Sequence, residues 1–267
     1  MSAGSQTRVL VIGASGRMGR AIVRVATERP DIRISGAVVS AGGADLGRDA
    51  GELAGIGRID VPLRSDLAAA LAGCDVAVDF SSPSAAATNL AACVAAGRPL
   101  LIGTTGLGPE LAADIERAAR HIALLIAPNT SLGVTLLLDL VRRASQALPA
   151  DFDIEIIEAH HRMKKDAPSG TALALGSAAA QGRGQDFGEV AVTDRNGARR
   201  TGDIGFAVVR GGDTVGDHTV VFAGTGEQVQ LTHRATDRNV FARGALTAAQ
   251  WLRGRAPGQY HMRDIIL

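Results

Sequence analysis

Residues 8–19, Arg-Val-Leu-Val-Ile-Gly-Ala-Ser-Gly-Arg-Met-Gly, decide the fold. Residues 8–12, apolar after Arg8, read as a strand buried on both faces, as in a parallel sheet. Gly13, Gly16 and Gly19 then mark a tight turn, and residues 18–28 continue as a helix that Pro30 and Asp31 end. Residues 32–39 read as a second strand, which completes a βαβ unit. Glycine at such a turn lets the backbone approach a pyrophosphate, and the helix that follows offers unpaired N–H groups and a positive dipole end. The spacing here is GxxGxxG, a variant of the common dinucleotide fingerprint. Taken without its flanking strand and helix, it would be no more than a tight connection.

The same alternation extends outward. Residues 41–57 are glycine-rich and polar, a loop with room for a short helical turn. Residues 75–80 form another buried strand. Ser82 and Pro83 stand at the N-cap and first position of a helix over 83–96, which Gly97 closes. Strands over 100–103 and 122–127 flank a helix over 109–120. Strands and helices in this rhythm indicate a doubly wound parallel sheet. The rhythm changes after Asn129. A long apolar helix over 133–146, a strand over 153–159 and a helix over 169–181 precede short segments at 190–193, 205–209, 219–223 and 228–232, which read as a mixed or antiparallel sheet. Residues 239–253 form a last amphipathic helix. The expected fold class is therefore α/β, with a Rossmann-like N-terminal domain (1–130), a second α+β domain for substrate and oligomerisation (131–238), and a C-terminal segment (239–267) returning to the first.

Composition narrows the function. Of the 267 residues 46% are hydrophobic, enough for sizeable cores and against disorder. Aromatic residues make up 3%, too few for a base-stacking platform. The net charge of +1 gives no general field for nucleic acid or an anionic membrane. No targeting segment is visible, and no run approaches the roughly 20 apolar residues of a membrane span. Cys74 and Cys93 lack CxxC spacing and read as reduced, buried thiols, in keeping with a cytoplasmic location.

The dinucleotide residues follow from the strand ends. The glycine loop supplies Gly13, Ala14, Ser15, Gly16, Arg17 and Met18. Where an NAD site usually carries an acidic residue after the second strand, this chain has Val39-Ser40-Ala41. Nothing there repels a 2′-phosphate, and Arg17 and Arg20 stand close in sequence, so NADPH or dual use is favoured over NADH alone. Gly103-Thr104-Thr105-Gly106 and Ala127-Pro128-Asn129-Thr130 lie at the carboxyl ends of later strands, where the nicotinamide end is expected. Each alone is only a loop.

Residues 158–171, Glu-Ala-His-His-Arg-Met-Lys-Lys-Asp-Ala-Pro-Ser-Gly-Thr, are the chemical centre. They begin where a strand empties into a loop and end at a helix start. Gly170 and Thr171 form an anion cradle at that start. His161, Lys164 and Arg162 add cationic or hydrogen-bonding groups, a set suited to a small di- or polycarboxylate. Hydride addition to a C=C or C=N bond must be completed by a proton, and His and Lys can be tuned toward neutral pH; a crowded cationic loop would lower a lysine's pKa. A solvated basic loop and a phosphate loop are also compatible with these residues alone. His160 and His161 point to opposite faces if on a strand, and no third ligand has clear spacing, so no metal is expected.

The string Glu158 to Ala172 resembles the signature of the 4-hydroxy-tetrahydrodipicolinate (dihydrodipicolinate) reductase family. So do the glycine loop, Asp79-Phe80, Gly103 to Gly106, Asn129 with Ser131-x-Gly133-Val134, Gly205-Phe206, Thr232-His233 and Trp251-Leu252. The likeness covers nearly the whole chain, and the His-His loop is its specific part. It implies NADH or NADPH held by the loops named above, His160 as proton donor or acceptor, Lys164 as the other proton donor, and His161, Gly170 and Thr171 on the substrate. The implied substrate is a small cyclic dicarboxylate, bound between the domains as they close. The implied assembly is a homotetramer built through the second domain's sheet. Some members carry an acidic residue or an adjacent arginine where this chain has Val39 and Ser40. Two rivals are weaker. An aspartate-semialdehyde type of dehydrogenase needs an activated cysteine, and neither cysteine lies in a Gly- or Asn-flanked loop. A non-catalytic dinucleotide sensor need not keep His160, Lys164 and the Gly-Thr cradle together.

Overall fold

The computed structural model describes residues 6–194 and 196–267. In chain order the elements are β1 (Thr7–Ile12), α1 (Arg17–Ala26), β2 (Ile32–Val38), α2 (Ala50–Ala54), β3 (Leu63–Arg64), α3 (Leu67–Ala72), β4 (Val76–Asp79), α4 (Pro83–Ala95), β5 (Leu100–Ile102), α5 (Ala112–Ala118) and β6 (Ala123–Ile126). There follow α6 (Leu132–Ala147), β7 (Asp153–His160), α7 (Gly170–Arg183), α8 (Phe187–Val190), β8 (Ala191–Val192), β9 (Ile204–Arg210), β10 (Gly216–Gly224) and β11 (Glu227–Ala235). Then come α9 (Asn239–Leu252), β12 (Gly258–Tyr260) and α10 (Arg263–Ile266). Two units result: one runs to Ser131 and resumes over Asn239–Leu267, the other is Leu132–Arg238. Among the described residues no helix is long and apolar enough to cross a membrane.

The first unit is a seven-stranded parallel sheet in the order β12-β6-β5-β4-β1-β2-β3. The chain winds one way from β1 through β2 to β3, then restarts at β4 on the other side of β1 and winds outward through β5 and β6. The carboxyl ends of β1 and β4 therefore flank a switch point, the usual ligand crevice of such sheets. Val9, Leu10 and Val11 are fully buried because both faces of β1 are covered. α9 packs on α1 and over β4, β5 and β6 with a small-residue face of Ala242, Ala245, Ala248 and Ala249. Gly244 lets it come close, since a Cβ there would lie 1.7 Å from the Thr130 carbonyl oxygen.

Several local expectations change. Ser82 occupies the N-cap of α4, but its hydroxyl makes no capping bond and pairs with Ser84 at 3.0 Å instead. The helix expected over 109–120 begins as a 3₁₀ turn, Pro109–Leu111, before α5, a common way for a helix to start. In the polar stretch after β2, Asp49 caps α2 and takes the N–H groups of Gly51, Glu52, Ile59 and Val61. Burial opposes its charge, but these bonds outweigh it and hold the carboxyl below its ordinary value. β3 and β12, two and three residues long, carry too short a pattern to read from sequence.

The second unit is a five-stranded sheet, β11-β10-β7-β9-β8. β11, β10 and β7 are antiparallel neighbours, whereas β7, β9 and β8 are parallel, so the sheet is mixed. α6 and α7 cover one face, burying Leu137, Val141, Leu175, Ile154, Ile156, Phe206, Val220 and Phe222 in one core. Val190, expected in a strand, ends the short helix α8, and only Ala191 and Val192 pair with β9.

Candidate active site

In the first unit the glycine loop does what its sequence requires. Gly13 leaves β1 at φ +81°, where side chains are disfavoured, and a Cβ there would meet the Phe80 carbonyl oxygen at 2.6 Å. A Cβ on Gly19 would lie 2.4 Å from the Gly13 oxygen, so α1 can press onto the turn only without one. Gly16 is the N-cap of α1 and no side chain caps that helix, nor is there an acidic residue in its first turn. The loop faces a cleft of about 450 Å³ lined by Gly13, Ser15, Gly16, Val39, Ser40, Ser65, Phe80, Ser81 and Asn89, among others. A serine-rich cleft against an uncapped helix end fits a pyrophosphate and its riboses.

Arg20 is not available to that cleft as expected from sequence. Its Nε donates to the Ser15 carbonyl at 2.7 Å and its guanidinium lies 3.6 Å from Asp45. It braces the glycine loop instead. Arg17 is exposed at the first position of α1, and Ser40 is exposed after β2. Val39 continues the sheet, donating to the Arg64 carbonyl at 2.9 Å.

At the β4 end Asp79 and Phe80 stood in the sequence only as part of the family likeness, with no role assigned. Asp79 is fully buried and accepts from Ser81 N–H at 2.8 Å and Asn89 Nδ2 at 2.9 Å, and the Thr104 hydroxyl lies 3.3 Å away. This carboxylate ties Thr104 to the cleft lining. Gly103 makes room for the Phe80 ring, which a Cβ would approach to 2.2 Å. Ala127 extends β6, its N–H donating to the Ile102 carbonyl; Asn129 Oδ1 accepts from Ser131 N–H. The Thr130 hydroxyl is committed to the Phe241 carbonyl at 2.6 Å. Thr130 thus anchors α9. Cys74 and Cys93 are both buried, and burial pushes the Cys74 thiol up to about 11 and raises Cys93 too, far from the thiolate a nucleophile needs.

In the second unit β7 alternates so that Ile154 and Ile156 face the helices, and Glu158 and His160 continue the same face. The apolar core thus becomes polar at the strand's carboxyl end. Register completes the cluster: His218 of β10 stands across from Glu158, and Arg210 of β9 stands beside His160. Glu158 is 1% exposed. Arg210 binds it in a two-pronged pair at 2.7 and 2.8 Å, Ser169 N–H donates at 2.9 Å, and His160 Nδ1 lies 2.5 Å from Oε2. Burial opposes ionisation of Glu158, but Arg210, His160 and the Ser169 N–H together hold its carboxyl below the usual range. An ionised carboxylate can only accept, so His160 donates from Nδ1 and its Nε2 is left for other partners. Gly216 lies against that nitrogen, where a Cβ would come within 3.0 Å.

Ser169 is the N-cap of α7. Its hydroxyl accepts from Ala172 N–H at 3.2 Å and meets His218 Nε2 at 3.1 Å. Gly170 and Thr171 open the helix beside it, Gly170 exposed and Thr171 partly so. The structure therefore brings His160 and the start of α7 together through Glu158 and Ser169. The loop 161–169 is further held by Arg210 to the Asp166 carbonyl at 2.7 Å and Arg162 N–H to the Gly212 carbonyl. Lys164 Nζ sits 2.9 Å from the Asp166 carboxylate. The loop is thus not purely cationic, contrary to the sequence expectation: the nearest charged partner of Lys164 is an acid. Desolvation, then the charges of Arg238, His160, Lys164 and Arg210, holds the His161 ring below the usual histidine range. His161 is thereby a neutral hydrogen-bonding group near pH 7.

Burial, with the neighbouring charge of His160, lowers His218 to about 4. Its folded value lies below the unfolded 6.5, so its stabilisation is complete above pH 6.5 and is lost as pH falls toward 4. The loss amounts to about 3 kcal/mol across that window. His233, opposite on β11, is lowered by burial as well and titrates in the same direction. Urea midpoints measured between pH 7.5 and 4 are expected to fall for the wild type and to flatten for His218→Gln. Parallel curves for the two proteins would rule out His218 as the titrating group.

Of the residues that build this cluster, sequence reading assigned no role to Glu158, Ser169, Arg210 or His218. The one available signal was polar residues at core-facing positions of β7, Glu158 and His160, two apart at the strand's end. Arg210 and His218 carry no such local signal.

The chain matches two family models, "Dihydrodipicolinate reductase, N-terminus" over residues 7–130 and "Dihydrodipicolinate reductase, C-terminus" over residues 133–266. Among its relatives, a 4-hydroxy-tetrahydrodipicolinate reductase of Halorhodospira halophila is 51% identical over 259 residues, 96% of this chain and 97% of the other. One from Alkalilimnicola ehrlichii is 50% identical over 265 residues, 97% of this chain and 98% of the other. A dipicolinate-bound dihydrodipicolinate reductase from Paenisporosarcina superposes with a TM-score of 0.79 at 22% identity, covering 98% of this chain and 100% of that one, a likeness that bears on the fold. With both halves matched and half of all residues identical in full-length relatives, the chain belongs to the dihydrodipicolinate reductase family.

Proposed function

We infer that this chain catalyses the pyridine-nucleotide-dependent reduction of 4-hydroxy-tetrahydrodipicolinate to tetrahydrodipicolinate, with loss of water, in lysine and diaminopimelate biosynthesis. The observation that carries this reading is the buried His160–Glu158 pair beside the first turn of α7, in a chain of this family. The dipicolinate bound by the Paenisporosarcina relative is a cyclic dicarboxylate of the same chemical class.

The dinucleotide belongs to the glycine-loop cleft: Gly13, Ala14, Ser15, Gly16, Arg17 and Met18 on the pyrophosphate side, with Gly103, Thr104, Thr105, Ala127, Pro128, Asn129 and Thr130 toward the nicotinamide. When bound, the reduced nicotinamide supplies the hydride. The substrate carboxylates are assigned to the start of α7 at Gly170 and Thr171, with neutral His161 and the Lys164 ammonium as hydrogen-bond donors. Lys164 and the Nε2 of His160 manage the proton that completes reduction. A homotetramer through the second unit's sheet belongs to the same reading. The face of that sheet opposite α6 and α7 presents Ile157 (42% exposed) and Val209 (53%), beside Ala207 and Val221.

NADPH is favoured, or dual use. Ser40 leaves the end of β2 without a carboxylate, and exposed Arg17, at the start of α1, and exposed Arg64, at the end of β3 beside β2, remain as cations. The test follows dinucleotide absorbance with freshly generated substrate, NADH and NADPH in parallel. Substrate-dependent oxidation is expected, with kcat/KM for NADPH at least equal to that for NADH. No oxidation by folded protein overturns the reaction; a strong NADH preference overturns only the reading of Ser40.

A further inference from the structure

We infer that Glu158 is a positioning residue for this reaction: its carboxylate fixes the ring of His160 with Nδ1–H turned inward and Nε2 outward, and ties that ring to the substrate end of α7. The inference rests on the reading of His160 as a proton-handling group. Four bonds from three residues converge on one buried carboxylate. His160 Nδ1 lies 2.5 Å from Oε2, Ser169 N–H donates to Oε1 at 2.9 Å, and Arg210 occupies both oxygens at 2.8 and 2.7 Å. With both oxygens committed, the carboxylate has one orientation, and so has the imidazole bonded to it. Gly216 keeps the Nε2 side open, since a Cβ there would stand only 3.0 Å from that nitrogen. The ring of His218 meets His160 edge-on with centroids 5.1 Å apart, which limits tilting.

The same carboxylate serves the other half of the site. Ser169, whose N–H it binds, caps α7 through its hydroxyl, and Gly170 and Thr171 follow directly. A shift of Glu158 would therefore move the proton group and the anion cradle together. Arg210 also holds the Asp166 carbonyl at 2.7 Å, two residues from Lys164. The Glu158–Arg210 pair is thus the common support of His160, Lys164's loop and the first turn of α7.

The test uses the full-length protein. Glu158→Gln keeps the shape and removes the charge. Its kcat is expected to fall on the order of 10²-fold, as when a carboxylate that orients a working histidine is neutralised. Dinucleotide Kd, read by fluorescence titration, is expected to stay within about twofold, because every dinucleotide residue lies in the other unit. In a double-mutant cycle, His160→Gln with Glu158→Gln is expected to be no slower than His160→Gln alone, because both act through one group. If the losses multiply, or if kcat of Glu158→Gln stays near wild type while His160→Gln is impaired, the positioning role is overturned and the reaction reading stands. If His160→Gln itself turns over normally, the proton reading fails and the inference goes with it.

Glu158→Gln leaves the half-buried Arg210 without its charged partner, so Glu158→Gln with Arg210→Met removes both charges at once. A wild-type measurement decides independently of folding. In protein labelled with ¹⁵N-histidine, the neutral His160 ring, identified by its loss in His160→Gln, is expected as the Nδ1–H tautomer. The Nε2–H tautomer overturns the inference.

Discussion

Lys164→Ala is expected to lower kcat on the order of 10²–10³-fold while dinucleotide Kd stays within about twofold. General acid catalysis by one well-placed group is worth that much, and nothing else in the loop replaces an ammonium at this position. Lys165, its neighbour, is exposed, whereas Lys164 is only 22% exposed and held by Asp166 at 2.9 Å. Binding of the dinucleotide should be spared because the glycine loop, Asp79 and Thr104 all belong to the first unit. Lys164→Arg separates the two things a lysine can do. Arginine keeps the positive charge but does not release a proton near neutral pH. If Lys164 donates the proton, Lys164→Arg should recover substrate KM and leave kcat low. Turnover within a few-fold of wild type in Lys164→Ala would remove Lys164 from the chemistry.

The second large effect is expected at the opposite end of the reaction. Gly13→Ala should weaken dinucleotide binding by about 10²-fold or more. Two penalties combine. The residue sits at φ +81°, and its new Cβ would lie 2.6 Å from the Phe80 carbonyl oxygen and 2.8 Å from the Ser81 Cα. Both obstacles are backbone atoms at the head of the cleft wall, so relief requires moving β1 and β4 apart. Strain and overlap of this kind cost roughly 2–4 kcal/mol. Gly47→Ala is the control: its φ of +83° imposes similar strain, but a Cβ there meets nothing within 4 Å. It should bind dinucleotide normally. Calorimetric titration of both variants with NADPH checks the pair. Equal, wild-type affinity in Gly13→Ala would mean that the dinucleotide does not pass this loop.

Much of the fold was legible because it is locally encoded. β1, β4, β5 and β6 are continuous apolar runs, and a chain that alternates such runs with helices has few topologies to choose from. Glycine at 13, 16 and 19 is legible for the same reason: the conformations and close approaches they permit are properties of single residues. What local pattern does not carry is where a side chain finds its partner. Arg20 reads as a cation near a phosphate, yet it is held by the Ser15 carbonyl and Asp45. Ser82 stands at the N-cap as its sequence predicts, yet its hydroxyl pairs with Ser84. The Thr130 hydroxyl donates to the Phe241 carbonyl, 111 residues away, a partner that no local pattern names.

By itself, then, the sequence determined the parallel sheet with its glycine turn, a second sheet of mixed or antiparallel strands, and the loop that carries His160, Lys164, Gly170 and Thr171. These follow from periodicity, turn chemistry and residue type within a few positions of one another. The tertiary structure alone decided that Glu158 is buried and charged, that it turns Nδ1 of His160 inward, and that Arg210 and His218 complete the cluster. Arg210 reaches Glu158 across 52 residues and Ser169 reaches His218 across 49. Such pairs depend on strand register, and register is set by the packing of a whole sheet against its helices, which no local pattern contains.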